Sequence, residues 1–163
     1  PASDPADVAS AAGAADALTR IAASRARFVS RGDSSGTHIK ELALWRAAGV
    51  DPTPASGRWY WETGTGMGTT LNIAAGKNGY TLTDRATWLA FGNKGALEIL
   101  YAGDPALYNQ YGVIQVNPAR HPDVNAAGAR RLVEWLLSHE GQALIGAYRV
   151  DGQQLFFPNA SPR

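Results

Sequence analysis

The 163-residue sequence contains no cysteine, which excludes disulfides, thiolate metal centres and cysteine nucleophiles while leaving the redox compartment open. It also lacks any run of lysine or arginine, and 15 basic against 14 acidic residues give a formal net charge of +1. That balance recommends neither a nucleic-acid surface nor a basic membrane-surface helix, so an electropositive site has to be local. No apolar stretch approaches the ~20 residues that cross a bilayer. The three histidines, His38, His121 and His139, stand far apart and lack the spacing of a metal site. No Gly-x-Ser-x-Gly elbow occurs, and there is neither an internal repeat nor a low-complexity tract.

What is present suits one compact domain: 45% of the residues are apolar, enough to bury a core at this length. The first residue is Pro1, with neither an initiator methionine nor a leader, which reads as a mature product or a fragment. Strand and helix signals alternate, which argues for an α/β architecture. Ala17, Leu18 and Ile21 share one face of an expected helix over 14–24, and Phe28-Val29-Ser30 reads as a short buried strand. Ile39, Leu42, Leu44 and Trp45 give the apolar stripe of a helix ending near Gly49. Trp59-Tyr60-Trp61 is extended in type, and strands are also expected at 80–82, 97–100 and, most strongly, 111–116. Further helices are expected over 84–90, 124–137 and from Ser138 or Glu140 to about Tyr148.

The segment Arg31-Gly32-Asp33-Ser34-Ser35-Gly36-Thr37 carries the chemistry. It places a guanidinium and three hydroxyls on the turn that starts a helix. The first amides of a helix have no partner inside it, and the aligned peptide dipoles leave about half a positive charge there. An oxyanion at Ser35-Gly36-Thr37 meets donors already oriented, and Arg31 adds a full charge with a planar fork. Ser35 or Thr37 as a plain helix cap, with Arg31 paired to Asp33, is the competing account. An integrin-type reading of Arg31-Gly32-Asp33 needs a mobile exposed loop, whereas a helix follows at once. A second Gly- and Thr-rich helix start runs from Gly64 to Thr70. It lacks the lysine of a P-loop and the glycine spacing of a dinucleotide fold. Both starts gain meaning if they open into one crevice beyond the carboxyl ends of the strands. An esterase using Ser34 or Ser35 is a weak alternative, because no serine is marked as activated.

Several segments together resemble the tungstate-binding proteins of bacterial ABC importers, which are extracytoplasmic receptors of the two-lobed periplasmic-binding-protein type II fold. They are residues 30–38, 59–71 with Glu62-Thr63-Gly64 and Gly66-Met67-Gly68, 79–85, Gly103-Asp104-Pro105, 109–118, 121–125 and Glu140-Gly141-Gln142. Phosphate receptors share only the Arg-x-Asp-x-Ser-Gly-Thr element at 31–37.

The resemblance implies a periplasmic-binding-protein-like lobe, a mixed sheet flanked by helices, with C-terminal helices that normally pack on a first lobe absent here. Residues 1–107 would be the second lobe, 108–118 a returning hinge strand and 119–163 the C-terminal helical segment. It implies an oxyanion site of Arg31, Ser35, Gly36, Thr37, Gly68, Thr69 and Thr83, with Asp33 as an acceptor or a brace for Arg31. The ligand would be tungstate or molybdate, with phosphate or sulfate as alternatives. No cofactor, no resident metal, no catalysis and no nucleic acid are expected. The location would be periplasmic or extracytoplasmic, and the partners an ABC permease and either the first lobe or a second copy by dimerisation or domain exchange. A non-transport anion-sensing or self-assembling domain is the reading from another class. With half the donor set, affinity is expected to reach only high micromolar, since nanomolar binding needs about −12 kcal/mol and each charge-assisted hydrogen bond contributes about 1.5–3 kcal/mol.

Overall fold

The computed structural model describes residues 1–160. Where composition alone suggested one domain, the chain forms two compact units, Pro1–Asn109 and Gln110–Arg163.

The first unit is built on a parallel pair. Strand β1 (Phe28–Ser30) lies beside β2 (Tyr60–Glu62) in the register Phe28 to Tyr60 and Ser30 to Glu62. On its other side β1 meets Tyr80 in a single parallel bridge, through Val29 N–H to Tyr80 O at 2.7 Å and Tyr80 N–H to Arg27 O at 2.8 Å. The strand expected at 80–82 is therefore one bridging residue, and that expected at 97–100 does not form.

Helix α1 (Ala14–Ser24) buries Ala14, Ala17, Leu18 and Ile21, the stripe its spacing predicts. Helix α2 (Gly36–Ala47) follows β1, and α3 (Met67–Lys77) follows β2. A short α4 (Arg85–Ala90) is capped by Asp84. The core gathers Phe28, Trp45 and Tyr60, with the Phe28 and Trp45 rings edge to face at 5.2 Å. Burying each such ring contributes about 1.5–3 kcal/mol. Helix α2 departs from its expected stripe: Leu44 and Trp45 are buried, but Ile39 is exposed and Glu41, at 2% exposure, takes the inward position.

The second unit pairs α5 (Ala126–Leu137), capped by Asn125, with α6 (His139–Ala147), capped by Ser138. The joint is tight, since a Cβ on Gly141 would stand 2.1 Å from Trp135 O, so only glycine fits there. A small antiparallel hairpin, β3 (Arg149–Val150) with β4 (Gln153–Gln154), follows. No strand forms at 111–116. An extended segment becomes a strand only when a neighbour takes its backbone groups, and among the described residues none does. Ile114 there is 91% exposed, and Tyr111, Val113, Val116, Leu132 and Trp135 are exposed as well. Among the described residues no helix is long and apolar enough to cross a membrane.

Candidate functional site

Because β1 and β2 are parallel and each feeds a helix, the starts of α2 and α3 lie at the same edge of the sheet. Neighbouring strands are about 4.8 Å apart, so the two turns leave the sheet side by side. They are tied together by Thr63 N–H donating to Ser30 O at 3.0 Å and Thr63 Oγ1 donating to Arg31 O at 3.3 Å. Gly32 makes this approach possible. Its φ is +59°, and a Cβ there would lie 2.7 Å from Glu62 Cβ.

The α2 turn is internally braced. Arg31 Nη2 donates to Asp33 Oδ2 at 2.6 Å, while Ser35 N–H and Ser35 Oγ–H donate to Asp33 Oδ1 at 3.1 and 2.6 Å. The Ser35 hydroxyl, followed by its amide and Arg31, holds the Asp33 carboxyl below the usual carboxylate range. Ser35 Oγ in turn accepts from His38 N–H and caps the helix. Both donors of Ser35 are thus already engaged, and Asp33 stands as the brace of Arg31. Arg31 is not used up: its side chain is 18% exposed, and its Nε has no hydrogen-bond partner among the described residues. Among those residues the amides of Gly36 and Thr37 donate to no protein group.

The α3 start is open. Gly66 occupies the capping position with no side chain to offer, and no described protein group accepts from the amides of Met67, Gly68 or Thr69. Nothing lies within 4 Å of a Cβ built on Gly36, Gly66 or Gly68. Beside them, Thr65 Oγ1 donates to Thr63 Oγ1 at 3.1 Å, which pairs with Thr70 Oγ1 at 3.0 Å. The sequence reading marks this stretch as a Thr-rich helix start but names none of these three hydroxyls as a site residue. Thr83 is placed differently. Its hydroxyl donates to Asp84 O at 3.2 Å, and the start of α4 is already filled by the Asp84 carboxylate, which accepts from Thr87 N–H and Oγ1–H.

Beneath the α2 turn lies a buried polar cluster that sequence reasoning missed entirely. Glu41 accepts from Ser30 Oγ at 2.8 Å, Tyr60 OH at 2.7 Å and Trp45 Nε1 at 3.2 Å. His38 Nδ1 is 3.2 Å from Ser30 Oγ and 3.7 Å from Glu41 Oε2. Burial pushes the Glu41 carboxyl up, and burial likewise raises the Tyr60 hydroxyl. A serine, a histidine and a carboxylate in contact suggest a hydrolase, but the geometry opposes one. Ser30 is fully buried and donates directly to Glu41, and the imidazole meets both partners through the same nitrogen. A relay needs the two ring nitrogens to face different partners. Ser35 donates its hydroxyl to Asp33, whose carboxyl is held below the usual carboxylate range and is therefore a poor base for activating it. Among the described residues no cluster of three or more His, Asp or Glu side chains is placed to hold a metal.

A family model described as a PBP superfamily domain matches residues 1–140. The chain belongs to that superfamily. It is 51% identical to a putative ABC transporter anion-binding protein of Haloferax volcanii, with 98% of this chain and 47% of the relative covered. It is 45% identical to the tungstate-binding protein TupA of Peptoclostridium acidaminophilum, over 89% of this chain and 50% of that protein. Among solved structures, the tungstate-binding protein TupA from Desulfovibrio alaskensis superposes with a TM-score of 0.83 at 45% identity, covering 99% of this chain and 65% of that one. The fold is accordingly periplasmic-binding-protein-like, a helix-rich α/β arrangement with small sheets. The chain spans about half the length of the curated relatives it matches.

Proposed function

We propose that this PBP-type chain binds a tetrahedral oxyanion, tungstate foremost, as part of the extracytoplasmic solute-binding component of an ABC importer. The observation that carries the reading is the uncapped start of α3, with three amides that have no protein partner among the described residues, set beside the α2 turn and Arg31. Two relatives named as tungstate-binding proteins support the choice of ligand. Arg31, Gly36, Thr37, Gly68 and Thr69 are the proposed donors, with Asp33 and Ser35 holding the guanidinium and the helix start in place. Tungstate and molybdate are fully deprotonated near neutral pH and ask only for donors. Phosphate keeps a proton and rewards an acceptor, and Asp33 already accepts three hydrogen bonds from the protein. The protein would perform no chemistry. Its work would be to enclose a dehydrated dianion and present the closed form to a membrane permease.

Calorimetric titration of the chain with tungstate, molybdate, sulfate and phosphate tests this directly. Tungstate and molybdate are expected to bind more tightly than phosphate. Arg31→Ala removes one to two charge-assisted contacts' worth of about 1.5–3 kcal/mol, a weakening of at least about 10- to 150-fold. Equal affinity of wild type and Arg31→Ala for tungstate refutes the assignment.

A further inference from the structure

The cluster under the α2 turn has a proton balance that the binding reading leaves unused. Glu41 is 2% exposed, and among the described residues no lysine or arginine pairs with it; His38, at 3.7 Å, is its one ionisable cationic partner. The hydroxyl of Ser30 has one proton and two lone pairs. Its shortest contact, 2.8 Å to Glu41 Oε2, takes the proton. Gly32 N–H donates to it at 3.1 Å. Tyr60 lies at 3.1 Å, but its single proton goes to Glu41 Oε1 at 2.7 Å. The remaining lone pair of Ser30 accepts from His38 Nδ1–H at 3.2 Å. With Glu41 ionised, His38 Nδ1 therefore carries a proton and Nε2 is left as the basic atom.

His38 is the third residue of α2, and its own N–H bonds the Ser35 cap. At about 1.5 Å of rise per residue it stands within one turn of the amides of Gly36 and Thr37. A dianion held at those amides adds negative charge next to a pair that, with Glu41 ionised and no proton on Nε2, carries a net charge of −1. Of the other charged groups around the pair, Arg31 and Asp33 in the turn neutralise each other, and Tyr60 on β2 stays protonated. Glu62, at the end of β2, accepts from Ser56 and adds a further negative charge. On α1, Arg20 is paired with Asp7 and Asp16, and the first turn of α3 holds no acidic residue.

We infer that oxyanion binding at the α2 start draws one proton from solution onto His38 Nε2, so that the His38–Glu41 pair becomes neutral as the dianion arrives. The bond formed is N–H on the imidazole, the bond broken is that of the buffer acid, and no redox change is involved. This rests on the oxyanion reading above. One consequence is discrimination by charge. A dianion gains more from the new imidazolium than a monoanion of the same shape does.

The test is titration of the full chain with sodium tungstate by calorimetry, between about pH 6 and about pH 8, in buffers of contrasting ionisation enthalpy. Wild type is expected to take up a proton, with affinity falling as pH rises by at most about tenfold per unit. His38→Gln is expected to bind tungstate with no proton uptake and with a flat pH profile. On wild-type protein, the ring nitrogens of His38 followed by NMR, assigned against His38→Gln, should move to imidazolium values on adding tungstate. Binding without proton uptake, or uptake persisting in His38→Gln, overturns the coupling and leaves the oxyanion reading intact. No binding heat from tungstate, molybdate, sulfate or phosphate overturns both.

Discussion

Gly66 separates stability from binding in a way that a single substitution exposes. Its backbone, φ −67° and ψ 164°, is extended capping geometry that any residue adopts, and nothing lies within 4 Å of a Cβ there. Gly66→Asp therefore fits without strain and supplies the side-chain cap that α3 lacks. Exchanging glycine for a better cap contributes a few tenths of a kcal/mol, and a carboxylate at the positive end of the helix about 0.3–1 kcal/mol more. For a unit of this size, about 4–8 °C per kcal/mol turns that into a rise of about 2–10 °C in melting temperature. The same carboxylate occupies the amides proposed for the ligand. Losing two charge-assisted bonds of about 1.5–3 kcal/mol each weakens tungstate binding by at least about 100-fold, before charge repulsion is added. Gly66→Ser, a neutral cap, should show a smaller thermal gain and an intermediate loss of affinity. Thermal melts and calorimetry on the three proteins check both halves. A Gly66→Asp protein that melts higher yet binds tungstate like wild type refutes the role of the α3 start. One that melts lower refutes the account of that helix as uncapped.

Two further outcomes concern the buried carboxyl and the second unit. Glu41 is raised from 4.5 by burial, so between about pH 4.5 and its folded value the native state keeps a proton that the unfolded chain releases, and stability falls as pH rises through that window. Glu41→Gln should flatten this decline in urea midpoints, while the opposite trend from Asp33, lost as pH falls below about 3.8, persists; an unchanged slope in the variant refutes the assignment. The exposed apolar residues of 111–116 and α5 form a patch of the kind that drives association. Light scattering of the isolated chain should show association that grows with concentration, and a monomer throughout counts against it.

Local pattern carried the helices and the paired strands β1 and β2, and failed at the segments expected to pair elsewhere. The spacing of Ala17, Leu18 and Ile21 fixes α1 because a 3.6-residue period leaves one choice of inward face. Ser35 as a cap and the strand–turn–helix unit at 28–47 were equally visible, since capping is decided by a few adjacent residues. The remaining strands were another matter. Segment 111–116 has the composition of a strand and no ladder partner among the described residues, and Tyr80 keeps one bridge of the three residues expected to pair. Pairing is non-local and cannot be read from the segment itself. Glu41 was invisible for the related reason that a charged residue on a helix reads as solvent-facing. Its burial depends on Tyr60 and Ser30 from two strands arriving to donate to it.

The two helix starts solve the same electrostatic problem in opposite ways, and the difference bears on the proposed binding of an anion. The α2 start satisfies itself: Ser35 caps it, Asp33 accepts from Ser35, and Arg31 is held by Asp33. Such bracing fixes the guanidinium before any ligand arrives, so less side-chain entropy is lost on binding. Among the described residues no protein group meets the first amides of α3, and glycines stand where side chains would otherwise fill the space. Amides without a protein partner add nothing to folding through such a hydrogen bond, and on the proposed reading their contribution goes to binding. A site with both starts braced would be stable and closed to anions. With both open it would bind, but nothing would aim the arginine. One of each gives an aimed charge next to amides with no described protein partner, the arrangement on which the proposed oxyanion reading rests.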